Sequence, residues 1–132
     1  MRNTIINRDL EQINKFKKEL MGKYYREGIS KGVEDSLVRI YDKEKLIGLV
    51  SVCVFETLTK KTLVFENFII DEDYRNKGHG TKLLNKILHL AKIWKVDCIE
   101  ATTKESNKAA QGLYESFDFK DRENKALRLW LQ

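Results

Sequence analysis

Apolar positions recur at helical spacing in RDLEQINKFKKEL, where Leu10, Ile13, Phe16, Lys17 and Leu20 share one side and Asp9 stands as the N-cap. A short strand at residues 2–6 (RNTII) is predicted ahead of that helix. Residues 21–35 are polar and punctuated by glycine, which reads as a second short helix and a loop. SLVRIYD and KLIGLVSVCVFE follow as two strands joined at Asp42–Lys45, a hairpin. LVFENFII, residues 63–70, is a third strand, apolar on both faces except at Glu66 and Asn67. Between Gly78 and Trp94 the residues Leu83, Leu84, Ile87, Leu88, Ala91 and Trp94 form one stripe, the mark of an amphipathic helix packed on a sheet. VDCIEAT predicts a strand, and Asn107 to Phe117 a helix capped by Ser106. ALRLWLQ alternates, with Leu127, Leu129 and Leu131 on one face, and predicts a closing strand. The order implies one α/β domain over residues 1–132. Its sheet is mixed, mostly antiparallel at first and parallel towards its middle, with flanking helices.

Composition agrees with a soluble globular chain: 42% hydrophobic and 34% charged residues, no proline, no repeat. No apolar run approaches the ~20 residues of a membrane span, and the first residues carry no apolar signal core. A cytoplasmic protein is expected, with no membrane partner. Cys53 and Cys98 lie in strand-like sequence without metal or redox spacing, so two buried reduced thiols and no metal are expected.

The net charge of +5 becomes informative once it is located. Arg75, Lys77, Lys82, Lys86, Lys92 and Lys95 fall in a stretch that has no Asp or Glu; without them 19 basic residues face 20 acidic ones. A nucleic-acid binder spreads basic residues over several elements, and aromatics are absent from this stretch apart from Trp94. No nucleic-acid partner is expected, and the local patch implies a local anion.

That anion has a place. An apolar strand, then DEDYRNKGHG, then a helix puts Gly78 and Gly80 at a helix start, with Arg75 and Lys77 just ahead. A helix N-terminus offers unpaired N–H groups and about half a positive charge, and glycine lets the backbone approach a phosphate. Neither familiar phosphate loop fits. The third glycine of the dinucleotide fingerprint is replaced by Leu83, and no Gly-Lys-Ser/Thr occurs here.

Arg75-x-x-Gly78-x-Gly80 after an apolar strand resembles the coenzyme A pyrophosphate loop of the GNAT superfamily of N-acetyltransferases. ESNKAAQGLYESFDF resembles the second signature of the same family, in the family's order and at its usual separation. The resemblance covers residues 63–121 well, and the N-terminal half only in the order of its elements. It implies a GNAT fold and acetyl-coenzyme A as cosubstrate. Backbone groups of Phe68, Ile69 and Ile70 would pair with the pantetheine arm, and Asn76, Lys77, Gly78, His79, Gly80 and Thr81, next to Arg75, would hold the pyrophosphate. Asn107 would contact the pantetheine, and Tyr114 would lie near the sulfur. Two positions depart from the pattern. Asp118 stands where the family usually has Gly before the final Phe. Thr102 replaces the Glu found in members that modify ribosomal-protein N-termini, which argues against that substrate class.

Residue chemistry adds two catalytic candidates. Asn107 and Tyr114 are two helical turns apart and share a face, and a phenol can protonate a departing thiolate. Glu66 interrupts a strand that otherwise reads as buried, where burial would raise its pKa and suit it to take a proton from an amine. A lysine partner or a polar gap would explain Glu66 equally. The expected reaction is direct attack of a primary amine, on a small molecule or a peptide, without a covalent enzyme intermediate, by a monomer or a homodimer. The main rival is a non-catalytic acyl-coenzyme A-binding regulatory module.

Overall fold

The computed structural model describes residues 7–131, so the strand predicted at residues 2–6 lies outside the described residues. Two compact units make up the chain, Met1–Thr102 and Thr103–Gln132. In the first, α1 (Asn7–Met21) precedes a short α2 (Lys31–Ser36), and the predicted hairpin forms as β1 (Leu37–Asp42) and β2 (Lys45–Glu56). β3 (Lys61–Ile70), α3 (His79–Ile93) and β4 (Cys98–Ala101) follow. The sheet order is β1-β2-β3-β4, antiparallel except for the β3–β4 pair. The α/β class, the mixed sheet and the flanking helices are those expected.

Each sheet face has its own helix. Ile13 and Phe16 of α1 are buried with Leu37, Leu46, Leu49 and Ile69. The cross-strand register sends Ile40, Val50, Val52, Leu63, Phe65 and Ile70 to the other face. There α3 packs and buries Leu83, Leu84, Ile87 and Ala91. Gly48 sits on that face because an added Cβ would lie 2.7 Å from Ile70 Cδ1 and 3.1 Å from Ile40 Cγ1.

Several expectations need correction. Asp9 lies inside the first turn of α1, and its buried carboxylate accepts a 2.7 Å hydrogen bond from Tyr41 Oη instead of capping the helix. Leu10 is exposed, as is Trp94, which follows the last turn of α3. Cys53 is exposed and Cys98 half-buried, both as free thiols, since the sheet face beyond α1 carries them. In the second unit α4 (Lys108–Ser116) is capped by Asn107, not Ser106, with Asn107 Oδ1 accepting from Ala110 N at 3.1 Å. Residues 126–131 form no strand, and Leu127, Leu129 and Leu131 are exposed. Alternation buries a face only against a neighbouring strand, and α4 is the only helix or strand among the described residues of that unit. Among the described residues no helix is long and apolar enough to cross a membrane.

Candidate functional site

The end of β3 is where backbone regularity breaks. Ser51 pairs with Glu66 but Leu49 pairs with Ile69, so β3 spends one residue more than β2 over this interval. Asn67, at φ 61°, is in the left-handed region, which Asn tolerates better than most residues. This bulge explains the polar pair inside an apolar strand. Glu66 and Asn67 are both exposed, and after them Phe68 returns to the side of Phe65, with ring centroids 5.9 Å apart. Glu66 therefore lacks the burial expected of it.

The bulge also has a consequence for pairing. The β4 ladder runs from Thr62–Cys98 to Phe65–Ala101, and Phe68 to Ile70 lie beyond its last pair. Asp71 N donates to Ile47 O across the β2 ladder at 2.7 Å. By strand alternation, the peptide groups of Ile70 and Phe68 face the opposite edge. On that edge Arg75 Nε donates to Ile70 O at 2.8 Å.

From Ile70 the chain turns through Asp71, which accepts from Asp73 N at 3.0 Å, into a 3-10 turn at Glu72–Tyr74. Asn76 (φ 62°) and Gly78 (φ 86°) are both left-handed, and Gly78 caps α3. Alternating hands of this kind turn successive N–H groups towards one concave spot, an arrangement that favours anions. The first N–H groups of α3 follow directly, with Lys82 N closing the first turn on Gly78 O at 3.1 Å. A Cβ on Gly78 would meet nothing within 4 Å, so the backbone is open on that side. These features fit a pyrophosphate held by main-chain donors.

The basic side chains are arranged differently from the sequence expectation. Arg75 Nη2 donates to Glu19 Oε2 at 2.6 Å, and Lys77 Nζ donates to Asp73 O at 3.1 Å. Lys86 Nζ donates to Arg39 O on β1. His79 meets Tyr74 edge-on at 5.7 Å, and Lys45 and Lys77 lie 5.2 and 5.8 Å from the Tyr74 ring centre. Tyr74 Oη donates to Asp42 Oδ2 at 3.2 Å, and burial, followed by that bond and the nearby carboxylates, raises the phenol above its ordinary value.

Behind the loop stands Asp71, which the sequence reading missed. Its buried carboxylate accepts from Gln12 Nε2 and is paired with Lys15 at 3.7 Å and Lys45 at 3.8 Å. Burial pushes this carboxyl up, but the Asp73 N–H, the Gln12 amide and the two lysines outweigh it and hold it below the ordinary value. The only signal in the sequence was an acid directly after an apolar strand.

In the second unit, Asn107 and Tyr114 lie at opposite ends of α4. The cap occupies Asn107 Oδ1, so a ligand contact would fall to Nδ2. Tyr114 is buried, and burial pushes its phenol up to about 12. Asp118 adopts φ 68°. Phe119 N bonds to Tyr114 O at 3.1 Å and Asp118 N to Glu115 O at 3.0 Å, while the Tyr114 and Phe119 rings lie 5.6 Å apart. This is a complete glycine-type helix stop with Asp in the glycine position, so the departure at Asp118 leaves the turn intact.

Comparison with curated protein sequences returns no match. Among solved structures, a transcriptional regulator from Bacillus halodurans C-125 has a TM-score of 0.76 at 19% identity, covering 97% of both chains. An aminoglycoside acetyltransferase from an uncultured soil metagenomic sample scores 0.76 at 14% identity, over 97% of this chain and 93% of its own. A Trypanosoma brucei acetyltransferase scores 0.70 at 17% identity, over 96% of each. At such identities the likeness is one of fold. The model of the GNAT acetyltransferase family matches residues 5–119, a span that holds both the glycine loop and α4. On that match the chain belongs to the GNAT acetyltransferase family.

Proposed function

We propose that this chain is an acetyl-coenzyme A-dependent N-acetyltransferase that modifies a primary amine of a small molecule or peptide. The observation that carries the reading is the pair of left-handed residues Asn76 and Gly78 at the start of α3, set after a strand end that extends past its β4 partner. Residues Asn76 to Thr81 would bind the nucleotide end of the donor, with Arg75 at the start of the loop. Peptide groups of Phe68 and Ile70 would take the pantetheine arm, while those of Ile69 face β2, and the Asn107 amide would be a further contact. Residues 1–132 would act as one cytoplasmic N-acetyltransferase domain, as a monomer or a homodimer.

Bound acetyl-coenzyme A supplies an acyl group already activated as a thioester. The chain's own groups then manage protons and charge. Glu66, directly or through water, would accept the proton of the amine from its exposed position at the β3 bulge. The Ile70 N–H polarises the acyl carbonyl. Tyr114 keeps its proton at neutral pH and offers it as a hydrogen bond to the departing sulfur. Full transfer from a phenol near 12 to an ordinary thiolate (pKa ~8.5) runs uphill, so holding the sulfur is its main role.

A second reading is an acyl-coenzyme A-binding module without turnover. One assay separates the two: thiol release from acetyl-coenzyme A against a panel of amines, polyamines, amino acids and peptides. Amine-dependent release supports the transferase. Saturable coenzyme A binding with no release across the panel supports the module.

A further inference from the structure

One side of α1 presents Gln12, Lys15 and Glu19, spaced three and four residues apart. Gln12 and Lys15 meet the Asp71 carboxylate, and Glu19 meets Arg75. The same helix side therefore grips both ends of the segment that carries the chain from β3 into the glycine loop. Arg75 is committed in two directions at once, through Nε to Ile70 O and through Nη2 to Glu19 Oε2. Two acceptors from different elements fix the guanidinium plane, and the 2.6 Å contact to Glu19 is charge-assisted. The pair is half-exposed, at 42% and 46%, so its contribution to overall stability is small and its geometric effect is the larger one.

We propose that Glu19 is a positioning residue for acyl-coenzyme A binding. It acts through Arg75, holding the guanidinium on the Ile70 carbonyl and thereby fixing the start of the glycine loop against the end of β3. The phosphates are then read by the N–H groups of Asn76 to Gly80, and the Arg75 side chain serves as a brace. The proposal rests on the acyl-coenzyme A reading above.

Calorimetric titration of coenzyme A into the full chain tests it, at low and high salt, with wild type, Glu19→Ala, Glu19→Gln, Arg75→Ala and the double Ala variant. Glu19→Ala should weaken binding about fivefold, the upper scale of one exposed charged contact, with the salt dependence of wild type because no phosphate contact is lost. Glu19→Gln keeps an acceptor and should fall between. The double variant should bind like Arg75→Ala alone, since Glu19 has no role without its partner. Melting temperatures measured alongside confirm that each variant is folded. Unchanged or tighter binding by Glu19→Ala, with a flatter salt dependence in Arg75→Ala, would overturn the proposal and make Arg75 a phosphate ligand. Absence of binding by wild type would instead refute the acyl-coenzyme A reading itself, and the role of Glu19 with it.

Discussion

Replacing Asp71 by Asn tests how the glycine loop is held. The substitution keeps the size of the side chain and removes the charge that Gln12, Lys15, Lys45 and the Asp73 N–H converge on. Hydrogen bonds to a charged group are worth about 1.5–3 kcal/mol, and the amide retains part of the pattern, so a loss of about 2 kcal/mol at pH 7 is expected. An unfolding entropy of ~2.1 cal/mol/K per residue over 132 residues gives about 0.28 kcal/mol/K, so the melting temperature should fall by about 7 °C. The pH dependence has a definite sign. The folded-state pKa of Asp71 is depressed, so its contribution is present above the unfolded carboxylate value near 3.9 and is lost as pH falls through the folded value. Urea unfolding of both proteins from pH 7 down to pH 3 is the assay. The difference should hold between pH 7 and 5 and shrink below about pH 4. A difference that grew on acidification, or an Asp71→Asn variant as stable as wild type at pH 7, would refute the network as described.

Other substitutions probe separate features. Asp118→Gly and Lys95→Gly relieve left-handed residues at helix ends and should each stabilise by about 0.5–1 kcal/mol in urea unfolding; destabilisation would show that side-chain contacts outweigh backbone strain there. Gly48→Ala drives a methyl against Ile70 and Ile40 and should destabilise by about 1–2 kcal/mol, with weakened coenzyme A binding because Ile70 must shift. Tyr114→Phe should leave stability within about 1 kcal/mol and lower turnover by about 10²-fold at saturating donor; a rate like wild type would show that no hydrogen bond from Tyr114 holds the departing sulfur.

The sequence and the structure agree where periodicity is dense. The stripe from Leu83 to Ala91 and the hairpin at Asp42–Lys45 each state a burial pattern that only one element satisfies. The strand-to-helix turn after Ile70 was legible because Gly78 marks the helix start. Side-chain partners were not legible. Glu19 and Arg75 are 56 residues apart and Gln12 and Asp71 are 59 apart, so only tertiary structure reveals that Arg75 is already engaged. Glu66 misled because a bulge at Asn67 shifts the alternation by one residue, and in a string of letters an interrupted strand looks the same as a buried charge. ALRLWLQ misled for the converse reason: its alternation is that of a strand, but strand formation depends on a partner edge.

The most direct test of the account is the effect of acetyl-coenzyme A on thermal stability, in wild type and in Gly80→Glu. A ligand that binds only the native state stabilises it by RT ln(1 + L/Kd) at free ligand concentration L, about 2.7 kcal/mol at a hundred times Kd, and so raises the melting temperature. Gly80 lies in the first turn of α3, where a carboxylate would add negative charge beside the helix N-terminus. The account predicts a rise in wild type that increases with ligand concentration, and none in Gly80→Glu. An equal rise in both proteins, or none in wild type, would contradict the assignment of this loop to the phosphates of an acyl-coenzyme A.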